Sequence, residues 1–118
     1  MSNFMKTRRH AVVLLLVTLL AAAALSVLTP KPAQAAALRT WDRLAQCESS
    51  GNWRINTGNG YYGGLQFSGP TWRAFGGRKF ARFAHRATKR QQIKVAERVR
   101  RQQGWGAWPA CSSKLGLR

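Results

Sequence analysis
Carboxylates are what this sequence has least of. Its 118 residues hold three, Asp42, Glu48 and Glu97, against 20 lysines and arginines, for a formal net charge of +17. So few acids exclude calcium sites and di-metal carboxylate centres, which need clustered oxygen ligands. They also leave little from which to build a two-carboxylate active site. Cysteine and histidine are scarce too, at two each, which argues against a structural zinc site. No metal and no cofactor is expected. Disorder is excluded on other grounds: 45% hydrophobic residues and five tryptophans are too apolar for a solvated tail. There is no internal repeat, and the length allows one small domain.

The N-terminus reads as a targeting segment. Lys6, Arg8 and Arg9 precede an apolar run from Ala11 to Leu28, broken only by Thr18 and Ser26. Pro30 and Pro32 follow, and Ala33-Gln34-Ala35 has the small-x-small pattern of a processing site. Residues 1–35 are read as a secretory signal peptide cleaved after Ala35. The competing reading is an uncleaved anchor, since the run can just span a bilayer. Removal of Lys6, Arg8, Arg9 and Lys31 leaves 16 basic residues against three acids, a net +13. Export would place Cys47 and Cys111 in an oxidising space, where one bridge is the simplest outcome and two free thiols the alternative. A bridge across that loop is worth about 4 kcal/mol in the chain-entropy model.

Periodicity then outlines the elements. Trp41, Leu44, Ala45 and Glu48 share one face of a helix that Thr40 would cap and Gly51 would stop. Residues 52–64 are polar and Gly-rich, and Asn59-Gly60, between Ile55 and Tyr61-Tyr62, signals a short irregular hairpin. If Leu65-Gln66-Phe67 is extended, Gln66 points away from its two apolar neighbours. Ser68-Gly69-Pro70 starts a short helix with Thr71, Trp72, Ala74 and Phe75, before Gly76-Gly77. Arg78 to Arg90 reads as loop and short turns, with His85 a solvated loop histidine. Thr88 and Gln91 form a capping box for a helix carrying Ile93, Val95, Ala96 and Val99, ending near Gly104. Trp41, Trp72 and Trp105 are assigned to the core, and Tyr61 and Tyr62, in the Gly-rich hairpin, are the candidates to line a groove. The fold class is α+β, mainly α, with a minor β-hairpin.

Glu48 is the acid with a chemical argument behind it. It stands on an apolar helical face, beside a cysteine and in the last turn. Burial and the negative helix end both favour its protonated form. A carboxyl kept protonated near neutral pH is what a general acid needs. The plain alternative is an ion pair with one of many arginines. Asp42 faces elsewhere on the same helix, and Glu97 is flanked by Lys94 and Arg101 as a solvated ion pair. If the chain is a glycosidase, a single acid must therefore suffice. That favours a nucleophile supplied by the substrate, an N-acetyl group or the sugar's own 6-hydroxyl.

The stretches WDRLAQCESSGNW, INTGNGYYGGLQF and GWGAWPACSSKLGL resemble the resuscitation-promoting factor domain of actinobacteria, over about residues 39–118. The resemblance implies a small lysozyme-like domain related to c-type lysozymes and lytic transglycosylases. It implies a secreted peptidoglycan glycosidase that cleaves the MurNAc-β-1,4-GlcNAc bond and promotes regrowth of dormant cells. It further implies Glu48 as the catalytic acid, a Cys47–Cys111 disulfide, and Thr71, Gln66 and Tyr61 as substrate-binding positions. Two departures stand out: Ser68 occupies a position where some members carry Asp, and residues 78–87 are unusually basic. The reading is of a minimal, single-domain member, without a further wall-binding module.

Charge adds an expected partner besides the glycan strands. A cationic protein is held at anionic cell-wall polymers by long-range attraction, and residues between Arg73 and Arg101 are the expected face. A partner endopeptidase and a monomeric state are further expectations. The competing function is a non-catalytic peptidoglycan-binding or signalling module, for which Glu48 would be dispensable. Nucleic-acid binding is set aside because secretion argues against it and no recognised motif is present. Membrane insertion is set aside because the helix over 88–103 has only a narrow apolar stripe.

Overall fold
The computed structural model describes residues 31–118, and the basic residues, apolar run and Pro30 of the candidate signal peptide lie outside the described residues. The chain divides into two units, Met1–Gln34 and Ala35–Arg118, and the second holds every feature discussed below except the first residues of the first helix. Helix α1 spans Lys31–Ser49. It therefore starts well before Trp41, and Thr40 is not its cap. The residues from Ala33 to Leu38 are strong helix formers with nothing to stop them. Thr40 sits inside the helix by donating its hydroxyl to the Ala36 carbonyl at 3.1 Å. The expected face is present, with Trp41, Leu44 and Ala45 buried. The helix stops where expected: Ser50 and Gly51 both take positive φ, 53° and 75°.

The hairpin differs from expectation in its turn. Strand β1 (Tyr61–Tyr62) pairs antiparallel with β2 (Phe67–Ser68), Tyr61 opposite Ser68 and Tyr62 opposite Phe67. The connection is Gly63 to Gln66, while Asn59 lies ahead of β1 and accepts a bond from the Tyr61 amide at 3.0 Å. Packing explains the choice. A Cβ on Gly63 would stand 2.3 Å from the Gln92 side chain, and one on Gly64 would stand 2.5 Å from the Trp53 ring. Only glycine lets this backbone approach so closely. Leu65 and Phe67 are buried and Gln66 faces away, although Gln66 lies in the turn, at φ 55°.

Helix α2 (Gly69–Ala74) begins as expected: the Ser68 hydroxyl accepts from the Thr71 amide at 3.2 Å, and Pro70 lies in the first turn. Two 3-10 turns, Gly77–Lys79 and Ala84–Arg86, occupy the basic stretch. Helix α3 (Lys89–Gln103) opens with both halves of the Thr88–Gln91 capping box and ends at Gly104. A third 3-10 turn, Trp105–Ala107, leads to α4 (Pro109–Lys114). Cys47 and Cys111 are disulfide-bonded, which ties α4 to the last turn of α1. This mainly helical domain with one small sheet and one bridge is compatible with a lysozyme-like fold. Among the described residues, no helix is long and apolar enough to cross a membrane.

Trp41, Trp72 and Trp108 are the buried tryptophans, set around Phe67, Leu65 and Val99. Trp105 is only partly buried and leans on Trp41 at 4.9 Å, so Trp108 takes the core place expected for it. Each buried indole N–H finds an acceptor, as burial requires. Trp72 donates to the Ala81 carbonyl, Trp108 to the Leu65 carbonyl and Trp41 to Glu97.

Periodicity did not single out Gln92, which is fully buried. Its amide oxygen accepts from the Gly64 amide at 3.0 Å, and its nitrogen donates to the carbonyls of Trp53 (2.8 Å) and Ala87 (3.0 Å). Gln92→Leu keeps the bulk but orphans three backbone groups. It is expected to cost about 3 kcal/mol or more in urea denaturation; a loss below about 1 kcal/mol would show that the knot is not stabilising.

Candidate active site
Glu48 is placed by its neighbours in the chain. On one side Cys47 is bridged to Cys111 of α4. On the other, the buried Ser49 hydroxyl lies 2.8 Å from the Gly64 carbonyl and 3.0 Å from that of Ala45. The end of α1 is thus fastened to α4 and to the hairpin turn, with Glu48 between the two fastenings. Its carboxylate is half-buried and, among the described residues, has no ion-pair partner. Burial pushes its pKa above the ordinary 4.5. Its place in the last helical turn acts in the same direction.

The other two acids are engaged elsewhere. Asp42 is exposed and pairs with Lys89. Glu97 accepts from the Trp41 indole at 2.6 Å and from Arg100 at 3.3 Å. The expected partners Lys94 and Arg101 are thus replaced by Arg100 and an indole. The Arg100 guanidinium lies 5.3 Å over the Trp105 ring, which holds it on that face, and Glu97 turns inward to the buried N–H.

Tyr61, Gln66 and Thr71 come together. They line one cavity of about 100 Å³, with Phe67, Ser68, Val99, Gln103, Ala107 and Trp108; Glu48 is not among its lining residues. Gln66 donates to the Gly63 carbonyl at 3.0 Å. The Thr71 hydroxyl oxygen accepts from Ser68 at 2.9 Å, which leaves its own proton to donate. Tyr61 is half exposed, at 50%. The cavity therefore offers an aromatic flank, an amide and a hydroxyl, a set suited to a sugar with its hydroxyl and N-acetyl groups. Ser68, in the position of the family's occasional Asp, caps α2 and orients Thr71. Gln103 and Trp108 were not expected in these walls; one ends α3 and the other follows a 3-10 turn, so neither belongs to a local motif.

Two expectations are corrected. Tyr62, expected in a groove with Tyr61, does not line that cavity: its ring stacks on Phe83 at 4.5 Å and on His85 at 5.3 Å. His85 is accordingly not a solvated loop histidine. Its Nδ1 is buried without a hydrogen-bond partner, and burial and then Arg86 lower its pKa. These two aromatic contacts fold the basic stretch back onto β1, which single-residue spacing does not announce.

Residues 35–111 match the transglycosylase-like domain. The chain belongs to that family. It is 64% identical over 95 residues to resuscitation-promoting factor Rpf1 of Corynebacterium glutamicum, covering 80% of this chain and 49% of that protein. It is 60% identical over 86 residues to resuscitation-promoting factor Rpf of Micrococcus luteus, covering 73% of this chain and 37% of that protein. RpfE of Mycobacterium tuberculosis is 58% identical over 74 residues, or 63% of this chain and 41% of that protein. The resemblance drawn from the sequence is thus borne out. The chain spans about half or less of the length of these relatives.

The raised pKa of Glu48 has a consequence for stability. A carboxyl that holds its proton more tightly when folded stabilises the fold below its unfolded pKa, and that contribution is lost as pH rises through the folded pKa. Glu48→Gln never charges. It should therefore be more stable than the parent at neutral pH and indistinguishable from it well below pH 4.5. Urea midpoints at the two pH values test this, and a neutral-pH loss of stability in the variant would contradict it.

Proposed function
We propose that the chain is a secreted peptidoglycan glycosidase of lytic-transglycosylase type, acting at the MurNAc-β-1,4-GlcNAc bond, with Glu48 as its acid. The observation that carries this is the inventory of carboxylates. Asp42 and Glu97 are paired, and Glu48 alone is half-buried, unpaired and raised in pKa. A two-carboxylate mechanism needs a second acid close by, and the commitments of Asp42 and Glu97 argue against either serving. Protonated Glu48 gives its proton to the glycosidic oxygen as the C1–O bond breaks. The resulting carboxylate then takes the proton of the muramyl 6-hydroxyl while O6 bonds to C1. A 1,6-anhydro sugar forms, and Glu48 is protonated again.

Further support comes from the relatives, which bear the name of resuscitation-promoting factors. The cavity of Tyr61, Gln66 and Thr71 is proposed as part of the groove that holds the glycan. Residues 1–35 are proposed as the cleaved export signal and residues 39–118 as the working domain. Release outside the cell, retention at the anionic wall through the +13 charge, regrowth of dormant cells and cooperation with an endopeptidase complete the proposal.

Glu48→Gln should lower release of soluble fragments from purified peptidoglycan by about 10²- to 10⁴-fold, the usual worth of a general acid, while wall binding persists. Release at the parent rate would instead favour a wall-binding or signalling module.

A further inference from the structure
A second cavity, of about 210 Å³, is lined by Gly69, Pro70, Arg73, Arg78, Arg82 and Phe83. Half of its lining is arginine. Among the described residues, none of these three guanidinium groups forms an ion pair; the pairs present are Lys89–Asp42 and Arg100–Glu97. Nor do they donate hydrogen bonds within the fold, where the arginine side chains that donate are those of Arg98 and Arg100. The larger cavity around Trp53, Arg54, His85, Arg86 and Lys89 differs, because one of its three cations, Lys89, is already paired with Asp42.

Three like charges around one concavity repel one another, and among the described residues no acidic side chain offsets that repulsion. We propose that Arg73, Arg78 and Arg82 form a binding subsite for a phosphodiester group of a polyol-phosphate polymer. Each guanidinium presents a planar fork of donors that matches a tetrahedral oxyanion. A carboxylate's two oxygens lie in one plane and take one fork, whereas the two unesterified oxygens of a phosphodiester project from a tetrahedral centre and accept from more than one direction. The volume, on the order of seven waters' share of liquid, admits one such group with its flanking carbons. Gly69 lines the cavity without a side chain, its Cβ position 3.5 Å from the Phe83 ring.

The aromatic in this wall also argues against nucleic acid. Single-strand binders need an open ring face on which bases stack. Phe83 is covered by Tyr62, stacked at 4.5 Å, and the Arg82 guanidinium lies 5.5 Å from its centroid. Adjacent residues of the same segment serve both cavities: Ser68 and Thr71 face the sugar-binding candidates, Gly69 and Pro70 this one. A phosphate polymer held here would run beside the glycan groove. The subsite gives the proposed wall retention a defined place, and it does not depend on whether the protein cleaves glycan.

Equilibrium binding to poly(glycerol phosphate), with polyglutamate and oligothymidylate as competing probes, tests the subsite. Arg73→Gln, Arg78→Gln and Arg82→Gln together should weaken binding at least about 20-fold, by loss of three charge-assisted contacts. A control removes the same charge from the exposed Arg43, Lys94 and Lys114 and should cost no more than about 3-fold, through screened attraction alone. The corresponding triple lysine variant keeps the charge but not the forks, and should lose part of the affinity. All three arginines are exposed, so these variants should fold, with unchanged thermal midpoints as the check. Equal losses in the pocket and control variants, or full affinity in the lysine variant, would overturn the subsite. Equal or tighter binding of polyglutamate would overturn the choice of phosphate, and tighter binding of oligothymidylate the choice of a polyol polymer.

Discussion
The carboxamide of Gln92 accepts from the Gly64 amide and donates to the carbonyls of Trp53 and Ala87. These three partners come from the hairpin turn, the loop after α1 and the segment before α3. No other side chain in the described domain ties so many irregular segments to one point. The hairpin turn it holds then fastens two further elements: Gly64 accepts from Ser49 at the end of α1, and Leu65 accepts from the Trp108 indole ahead of α4. The disulfide closes the same circuit from the other side, through Cys47 and Cys111. A small domain with little regular sheet thus owes its loop positions to buried, fully satisfied polar groups, whose removal costs more than their presence gains.

Glu48 sits inside that circuit, and this accounts for its unusual freedom in so basic a chain. In water, one of 16 cations would pair with it readily. Here its two chain neighbours are fixed, its helix turn is closed, and the acids that could share its work are drawn away by Lys89, Arg100 and an indole N–H. Uncommitted cations stand instead on the surface of α2 and the basic stretch, where Arg73, Arg78 and Arg82 line one concavity. Among the described residues Glu48 is thus the acidic side chain left without an ion-pair partner, and burial holds its pKa above the ordinary 4.5.

Local rules made much of this legible. The Ser68 and Thr88 caps, the stops at Gly51 and Gly104, and the buried stripe of α3 all follow from neighbours within one turn. The motif resemblance added the disulfide pair and the candidate site positions. What escaped is long-range. Thr40 looks like a cap, yet the alanines before it extend α1. Gln92 looks like any polar helix residue until Gly63 and Gly64 close over it. Tyr62 and His85 look solvent-facing until Phe83 folds back across them. Glu97 keeps an arginine of its own helix, Arg100, and adds an indole at 56 positions' distance in the chain, a partner no spacing rule can supply.

The most direct test of a lone acid with a substrate-supplied nucleophile follows oxygen atoms. Digestion of purified peptidoglycan in water enriched in heavy oxygen, with mass spectrometry of the released fragments, reports where each new C1–O bond originates. Muramyl ends that are 1,6-anhydro and free of solvent oxygen are the expected result. Reducing ends that carry one solvent oxygen would mean that water attacks C1, and would contradict closure by the 6-hydroxyl.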